Sequence, residues 1–209
     1  MSKYLGPKCK LCRRAGEKLM LKGERCGSPK CAMVKRNYPP GFHGPKGRGK
    51  ISDYGQQLLE KQKAKRIYNL LEKQFKLTFL EAQKMKGNTG DNLLQLLEMR
   101  LDNVIYRLGL AASRAQARQL VNHGLFAVNG RGVNIPSYTV KEGDIVEVKK
   151  NKKNAKIFKN IENKIKPENI PGWLNFDVKK LSAKVLHKPN IEDIRANINT
   201  QMIVEFYSR

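Results

Sequence analysis

LDNVIYRLGLAASRAQARQLVNHGLFAVNG, residues 101–130, decides the fold. Leu101, Ile105 and Leu108 recur at helical spacing with Val104 beside them, and Gly109 stands where a left-handed residue closes a helix. Ser113 and Gln116 have the spacing of a capping box, so a second helix opens there. Ala117, Leu120 and Val121 make its inner face, and Gly124 ends it. Residues 125–128 read as a strand, and Asn129-Gly130 is a hairpin turn signal. Polar side chains keep the same period. Arg100, Asn103 and Arg107 line the first helix; Arg114, Arg118 and Asn122 share one face of the second. The stretch reads as a compact module for holding structured RNA.

Toward the N-terminus, Thr89 opens a helical stretch in which Leu93 and Leu97 continue the stripe of Leu101, Ile105 and Leu108. Ser52 caps a long helix, with Asp53 near its positive end. Leu59, Ile67, Leu70, Leu71 and Phe75 predict its buried face, which places Lys61 and Lys65 on the far side. A further helix is expected over 78–86, ending at Gly87. Residues 37–50, NYPPGFHGPKGRGK, form an extended arm: Pro39 and Pro40 bar helix, and the glycines loosen it. Lys46, Arg48 and Lys50 project from this arm, while Tyr38, Phe42 and His43 offer flat faces for stacking on bases.

Residues 1–50 hold 14 Lys or Arg against two acids, Glu17 and Glu24, and show no sustained apolar period. Such a segment cannot bury enough surface to fold unaided. Its four cysteines supply the remedy. Cys9 and Cys12, then thirteen residues, then Cys26 and Cys31, match a structural Zn(2+) site. Four thiolates leave no open position, so the metal would staple rather than catalyse. An iron–sulfur cluster is the alternative ligand. Surrounding cations, Arg13 and Arg14 among them, would offset the thiolate charge.

Beyond the hairpin turn, short strands are expected at 133–135 and 145–148, with a turn over 141–144 between them. Eight lysines and one acid fill 149–166, where Ala155, Phe158, Ile161 and Ile165 predict a basic helix. The tail, with Trp173, Val185 and the run Met202–Phe206, reads as two or three edge strands, and Trp173 as a packing residue.

The whole chain has 209 residues and a net charge of +24, from 42 basic and 18 acidic residues. That excess calls for a polyanion. Nucleic acid is favoured over an anionic membrane surface, because no apolar run of about 18 residues exists. The opening MSKYLGPKCK lacks a signal-peptide core, so a reducing cytoplasm is expected, where clustered cysteines bind metal rather than pair. No phosphate-cradling loop precedes a helix with Lys-Ser/Thr, and His43, His123 and His187 are scattered. Asp102 is one acid, not a catalytic pair; pairing with a nearby Arg is its plainer role. The chain is therefore expected to be no enzyme and to take no small-molecule substrate. An RNA-modifying enzyme would need a catalytic domain that neither flank has room for. A DNA-binding regulator would gather its cations on one recognition helix, whereas these are spread along the chain.

With these residues in view, the chain resembles the bacterial fourth small-subunit ribosomal protein family. The matching blocks are YLGPKCKLCRR (4–14), SDYGQQLLEKQKAKRIY (52–68), KGNTGDNLLQLLEMRLDNVIYRLG (86–109), SRAQARQLVNHG (113–124), VNGRGVNIPSY (128–138) and IVEFYSR (203–209). The resemblance implies an α+β fold: a mostly helical domain with an inserted RNA-binding module of two helices and a small antiparallel sheet, and a metal-stapled N-terminal extension. The boundaries expected are 1–50 for the extension, 51–98 with 167–209 for the helical domain, and 99–166 for the module with its basic helix. It implies binding to a helical junction of small-subunit ribosomal RNA, nucleation of subunit assembly, contact with the fifth small-subunit protein, and an influence on decoding accuracy. The arm with Lys46, Arg48 and Lys50 would lie near the channel by which messenger RNA enters. The residues expected at ribosomal RNA are Arg13, Arg14, Lys22, Lys35, Arg36, Tyr38, His43, Tyr54, Lys61, Lys65, Arg66, Arg100, Asn103, Arg107, Ser113, Arg114, Gln116, Arg118, Asn122 and His123.

Overall fold

The computed structural model describes residues 4–47, 49–153, 155, 157, 158, 165, 168, 170–194 and 197–209. Along the chain come α1 (Lys8–Ala15), α2 (Glu24–Gly27), α3 (Ala32–Lys35), α4 (Asp53–Ile67), α5 (Glu72–Lys84), α6 (Thr89–Glu98), α7 (Leu101–Arg107) and α8 (Arg114–Asn122). Then follow β1 (Phe126–Val128), β2 (Arg131–Val133), β3 (Ile145–Val148), β4 (Leu174–Asp177), β5 (Ser182–Val185) and α9 (Thr200–Tyr207). They divide into two compact units, residues 1–90 with 196–209, and residues 91–195.

In the first unit the expected long helix over 52–75 is two helices. Ser52 caps α4 by accepting from the Gly55 N–H at 3.3 Å. The helix stops at Tyr68, and Asn69 turns left-handed with φ 55°. Asparagine tolerates that conformation, so the apolar period runs on while the backbone does not. The next helix, expected at 78–86, accordingly starts at Glu72. The run 202–206, expected as a strand, is helical. The Asn199 side chain accepts from the Met202 N–H at 3.2 Å, and α9 packs against α4 with Ile203 fully buried. Tyr207 stacks on Phe79 at 4.5 Å. The β-branched and aromatic composition pointed to strand, but packing overrode propensity.

In the second unit the apolar stripe crosses a break. Arg100 is extended, bridges to Thr139, and separates α6 from α7. No side chain caps α7; the Leu101 and Asp102 N–H groups instead donate to Tyr138 and Pro136 carbonyls at 2.8 and 3.2 Å. Five antiparallel strands follow in the order β2-β1-β3-β5-β4. Asn129 and Gly130, with φ of 50° and 75°, make the turn between β1 and β2, which starts at Arg131 rather than 133. β4 and β5 are not set apart with residues 51–98. β5 pairs with β3, Ile145 opposite Lys184, so both strands belong to the module's own sheet. The module is thus larger than 99–166, and its core runs from Met99 through Phe126 and Val148 to the fully buried Trp173. Of the expected basic helix, Lys150–Lys152 is a 3-10 turn and Phe158 and Ile165 enter this core; Ile161 and most of the rest lie outside the described residues.

Candidate nucleic-acid interface

The four cysteines come together at one pocket, lined also by Lys8, Leu21, Lys22, Ala32 and Met33. The order of α1 and its neighbours explains how. Gly16, with φ 86°, closes α1 by donating its N–H to the Cys12 carbonyl at 2.8 Å. The chain then returns so that the Lys22 N–H donates to the Cys26 sulfur at 3.3 Å. Cys12, Cys26 and Cys31 are buried, Cys9 is half-buried, and all four are free thiols. Burial pushes the Cys12 thiol up; a hydrogen bond from the Leu19 backbone opposes this, and Cys26, Cys9 and Cys31 reinforce it. Among the described residues no three Cys, His, Asp or Glu side chains are drawn in as close as the ligands of one ion. The fit to a metal is one of donor type: four soft sulfurs around a single pocket suit zinc or an iron–sulfur cluster.

The first unit keeps many cations at its surface. Arg14, Lys22, Lys35, Arg36, Lys46 and Lys50 are exposed, as is His43. Arg13 and Tyr38 meet: the guanidinium lies 4.7 Å from the ring centre and donates to the Tyr38 and Pro39 carbonyls at 2.9 and 3.1 Å. Arg13 thus pins the root of the Pro/Gly arm. Arg48 lies outside the described residues. Tyr54 is exposed, 5.6 Å from Phe206. Arg66 is half-buried, with one guanidinium nitrogen lacking a hydrogen bond; burial and the nearby Arg14 push it below the ordinary arginine value.

The helix cations are placed otherwise than expected. Lys61 is not on a far, solvated side but 5% exposed, 2.5 Å from Glu72 and 4.5 Å from the Phe206 ring centre. Lys65 pairs with the other Glu72 oxygen at 2.8 Å. Lys63, which the pattern did not single out, is buried between Glu17 and Glu60. An apolar count along α4 misses this, because lysine stems pack like hydrocarbon while the amine finds an acid.

In the module the same holds for arginine. Arg100 and Arg118 are each 5% exposed and flank Asp102, at 3.3 and 3.6 Å. Burial pushes the Asp102 carboxyl up, and Arg100 and Arg118 pull it back. Asp102 therefore has the pairing role its surroundings in sequence indicated. Arg107 forks onto Glu98 at 2.6 and 2.8 Å, and Arg114 lies 4.5 Å from the Tyr106 ring centre. Ser113 accepts from the Gln116 N–H at 3.3 Å, while Gln116 reaches the Ala112 N–H at 2.8 Å, one residue earlier than a reciprocal box requires. Both are helix caps first. Asn122 and His123 are exposed at the end of α8. Glu98, 1% exposed and gripped by Arg107, is a residue that sequence reasoning missed. Its signal was there: an acid four positions before Asp102 and next to the polar stripe of Arg100, Asn103 and Arg107.

Among the described residues no helix is long and apolar enough to cross a membrane. The chain matches two family descriptions, the ribosomal protein S4/S9 N-terminal domain over residues 3–98 and the S4 domain over residues 99–146. It is similar over the full length of both chains to the small ribosomal subunit protein uS4 of Caldicellulosiruptor bescii, at 56% identity. The proteins of that name from Halothermothrix orenii and Thermus thermophilus are 54% and 52% identical, again over the whole of each chain. The two matched segments meet at the Glu98–Met99 junction, where α6 gives way to the arginine-bearing helices, and the chain belongs to the uS4 family of small-subunit ribosomal proteins.

Proposed function

We propose that this chain is a structural, non-enzymatic constituent of the bacterial small ribosomal subunit that binds its ribosomal RNA. One observation carries this reading: relatives named for that subunit match all 209 residues, from the cysteine-bearing head to the last helix. Lys and Arg neutralise phosphates and release counterions, which supplies most of the affinity. The fixed shape of the helices and sheet selects a folded RNA, read by contour and backbone path. The RNA target is a helical junction, and early binding there nucleates subunit assembly. The arm with Lys46, Arg48 and Lys50 serves the channel by which messenger RNA enters and contributes to decoding accuracy. The neighbouring protein contact is chiefly with the fifth small-subunit protein.

The test is retention on the subunit. The protein should sediment with small subunits after a high-salt wash and bind the isolated junction RNA with an affinity that falls steeply with salt. Loss on washing, or binding that scarcely changes with salt, would overturn the reading.

Cys9, Cys12, Cys26 and Cys31 hold zinc in this proposal, and the ion staples residues 1–50. The convergence of the four thiols on one pocket supports it. Protein purified without added metal should contain one zinc per chain, and a chelator should open residues 1–45 to protease. Iron and sulfide in place of zinc would establish the cluster instead; continued protease protection after metal removal would end the staple idea.

A further inference from the structure

Asn129 and Gly130 make the turn from β1 into β2, and both are exposed. They are also the one Asn-Gly step in the sequence. Such a step carries a chemistry of its own. The glycine nitrogen, once its proton has gone to water or hydroxide, can attack the asparagine Cγ. A ring C–N bond forms, the Cγ–Nδ2 bond breaks, and the departing nitrogen takes a proton from water and leaves as ammonia. Water then opens the succinimide to aspartate or isoaspartate. Nothing is oxidised or reduced. Glycine favours the attack because no Cβ crowds its nitrogen.

Packing does not shield this step. A Cβ built on Gly130 would meet nothing within 4 Å among the described residues, so the turn lies open to water. What restrains it is the hold on the Asn129 amide. Nδ2 donates to Asp144 Oδ1 at 2.8 Å, and Oδ1 accepts from the Ile145 N–H at 2.9 Å. The Asn129 N–H donates in turn to the Ile145 carbonyl at 2.9 Å. In an antiparallel ladder the Ile145 N–H would find a backbone carbonyl opposite. Here the chain turns left-handed at Asn129, φ 50°, and the side-chain oxygen takes that carbonyl's place. Asp144 is itself fixed. Its Oδ2 accepts from the Lys141 N–H at 2.8 Å and its carbonyl from the Val185 N–H at 3.0 Å. Both ends of the amide are thus tied to the start of β3. Swinging Cγ onto the Gly130 nitrogen breaks both bonds. The product would not fit the same place: an aspartate there loses the Nδ2 donor and sets a second carboxylate against Asp144.

We propose that Asn129 is a latent deamidation site, held off in the folded chain by Asp144 and the Ile145 N–H and released when the turn opens.

The test incubates the full chain at mildly alkaline pH and follows conversion at residue 129 by peptide mass spectrometry, for wild type and Asp144→Ala, folded and in urea. In urea both should convert at one rate, since neither holds the amide. Folded wild type should convert roughly a hundredfold more slowly, the scale of one neutral and one charged hydrogen bond. Folded Asp144→Ala should regain roughly tenfold of that. Val121→Ala, a cavity in the same unit far along the chain from the turn, separates the hold from general stability. It should leave conversion slow. Folded wild type converting at the urea rate would overturn the proposal, as would Asp144→Ala as slow as wild type or Val121→Ala as fast as Asp144→Ala. If Asp144→Ala does not fold, Asp144→Asn carries the test. Its amide has one oxygen for the two donors that Asp144 serves, so conversion should rise severalfold; an unchanged rate would overturn the proposal.

Discussion

Glu72 is held by three donors: Lys61 at 2.5 Å, Lys65 at 2.8 Å and the Tyr207 hydroxyl at 3.1 Å. Burial pushes its carboxyl up, but the hydrogen bonds and charges of Lys61 and Lys65 together outweigh burial and bring it down to about 2. Burial and the Glu72 charge in turn push the Tyr207 phenol above its ordinary value. The sign of the pH effect follows. A folded value below the unfolded 4.5 means that ionised Glu72 stabilises the fold above pH 4.5, and that this share is lost as pH falls from 4.5 through about 2. Glu72→Gln should therefore lower the melting temperature at neutral pH and flatten its decline across that acid window. Melting curves on wild type and variant from pH 2 to pH 7 check this; parallel declines would show that Glu72 adds nothing there. The variant also leaves Lys61, 5% exposed, without its acid, so its neutral-pH loss should exceed that of Lys65→Met, whose side chain is nearer solvent.

At the scale of elements, periodicity located most helices but not where they break. The Leu93–Leu108 stripe keeps its phase across Arg100, so nothing in the apolar count marks the extended residue there. The break is set by residues about 35 positions on, whose carbonyls take the first N–H groups of α7. The same reason hid α9, whose strand-like composition is overruled by packing on α4. Local chemistry was legible wherever one residue type is required. Asn129-Gly130 is such a case: both residues take positive φ, and the turn joins β1 to β2 with Val128 opposite Arg131. A Cβ on Gly130 would meet nothing within 4 Å, so its substitution is a backbone test alone. Gly130→Ala should cost about 1 kcal/mol, the left-handed penalty for a residue with a Cβ. It should appear as a lower urea midpoint with an unchanged slope. A midpoint equal to wild type would mean that the turn relaxes to another type. The interface was legible as a set of residue types and not as an arrangement. Sequence marks Arg107 and Arg118 alike, yet one is forked on Glu98 with an edge at the surface and the other is buried against Asp102.

For the whole molecule, the +24 charge acts in opposite directions on two equilibria. In the free protein most of those cations repel one another, since 18 acids cannot match 42 bases even with the ion pairs at Glu72, Glu98 and Asp102. Self-repulsion of this kind is screened beyond about 10 Å at 0.1 M salt. Added salt should therefore raise the melting temperature of the free chain. On the RNA complex the same salt competes for phosphates, and log affinity should fall linearly with log salt, with a slope near −0.9 per phosphate neutralised. One salt series, read by melting of the free protein and by binding to junction RNA, separates the two effects. The pairs at Glu98 and Asp102 lie inside the fold and should change little across it, so the melting shift reports mainly the exposed cations, Arg14, Lys22, Lys35, Arg36, Lys46 and Lys50 among them. Replacing four of these with glutamine should weaken the salt dependence of both measurements together. Weakening in binding alone would mean that the exposed head does not strain the free fold, and its charge would then serve only the RNA.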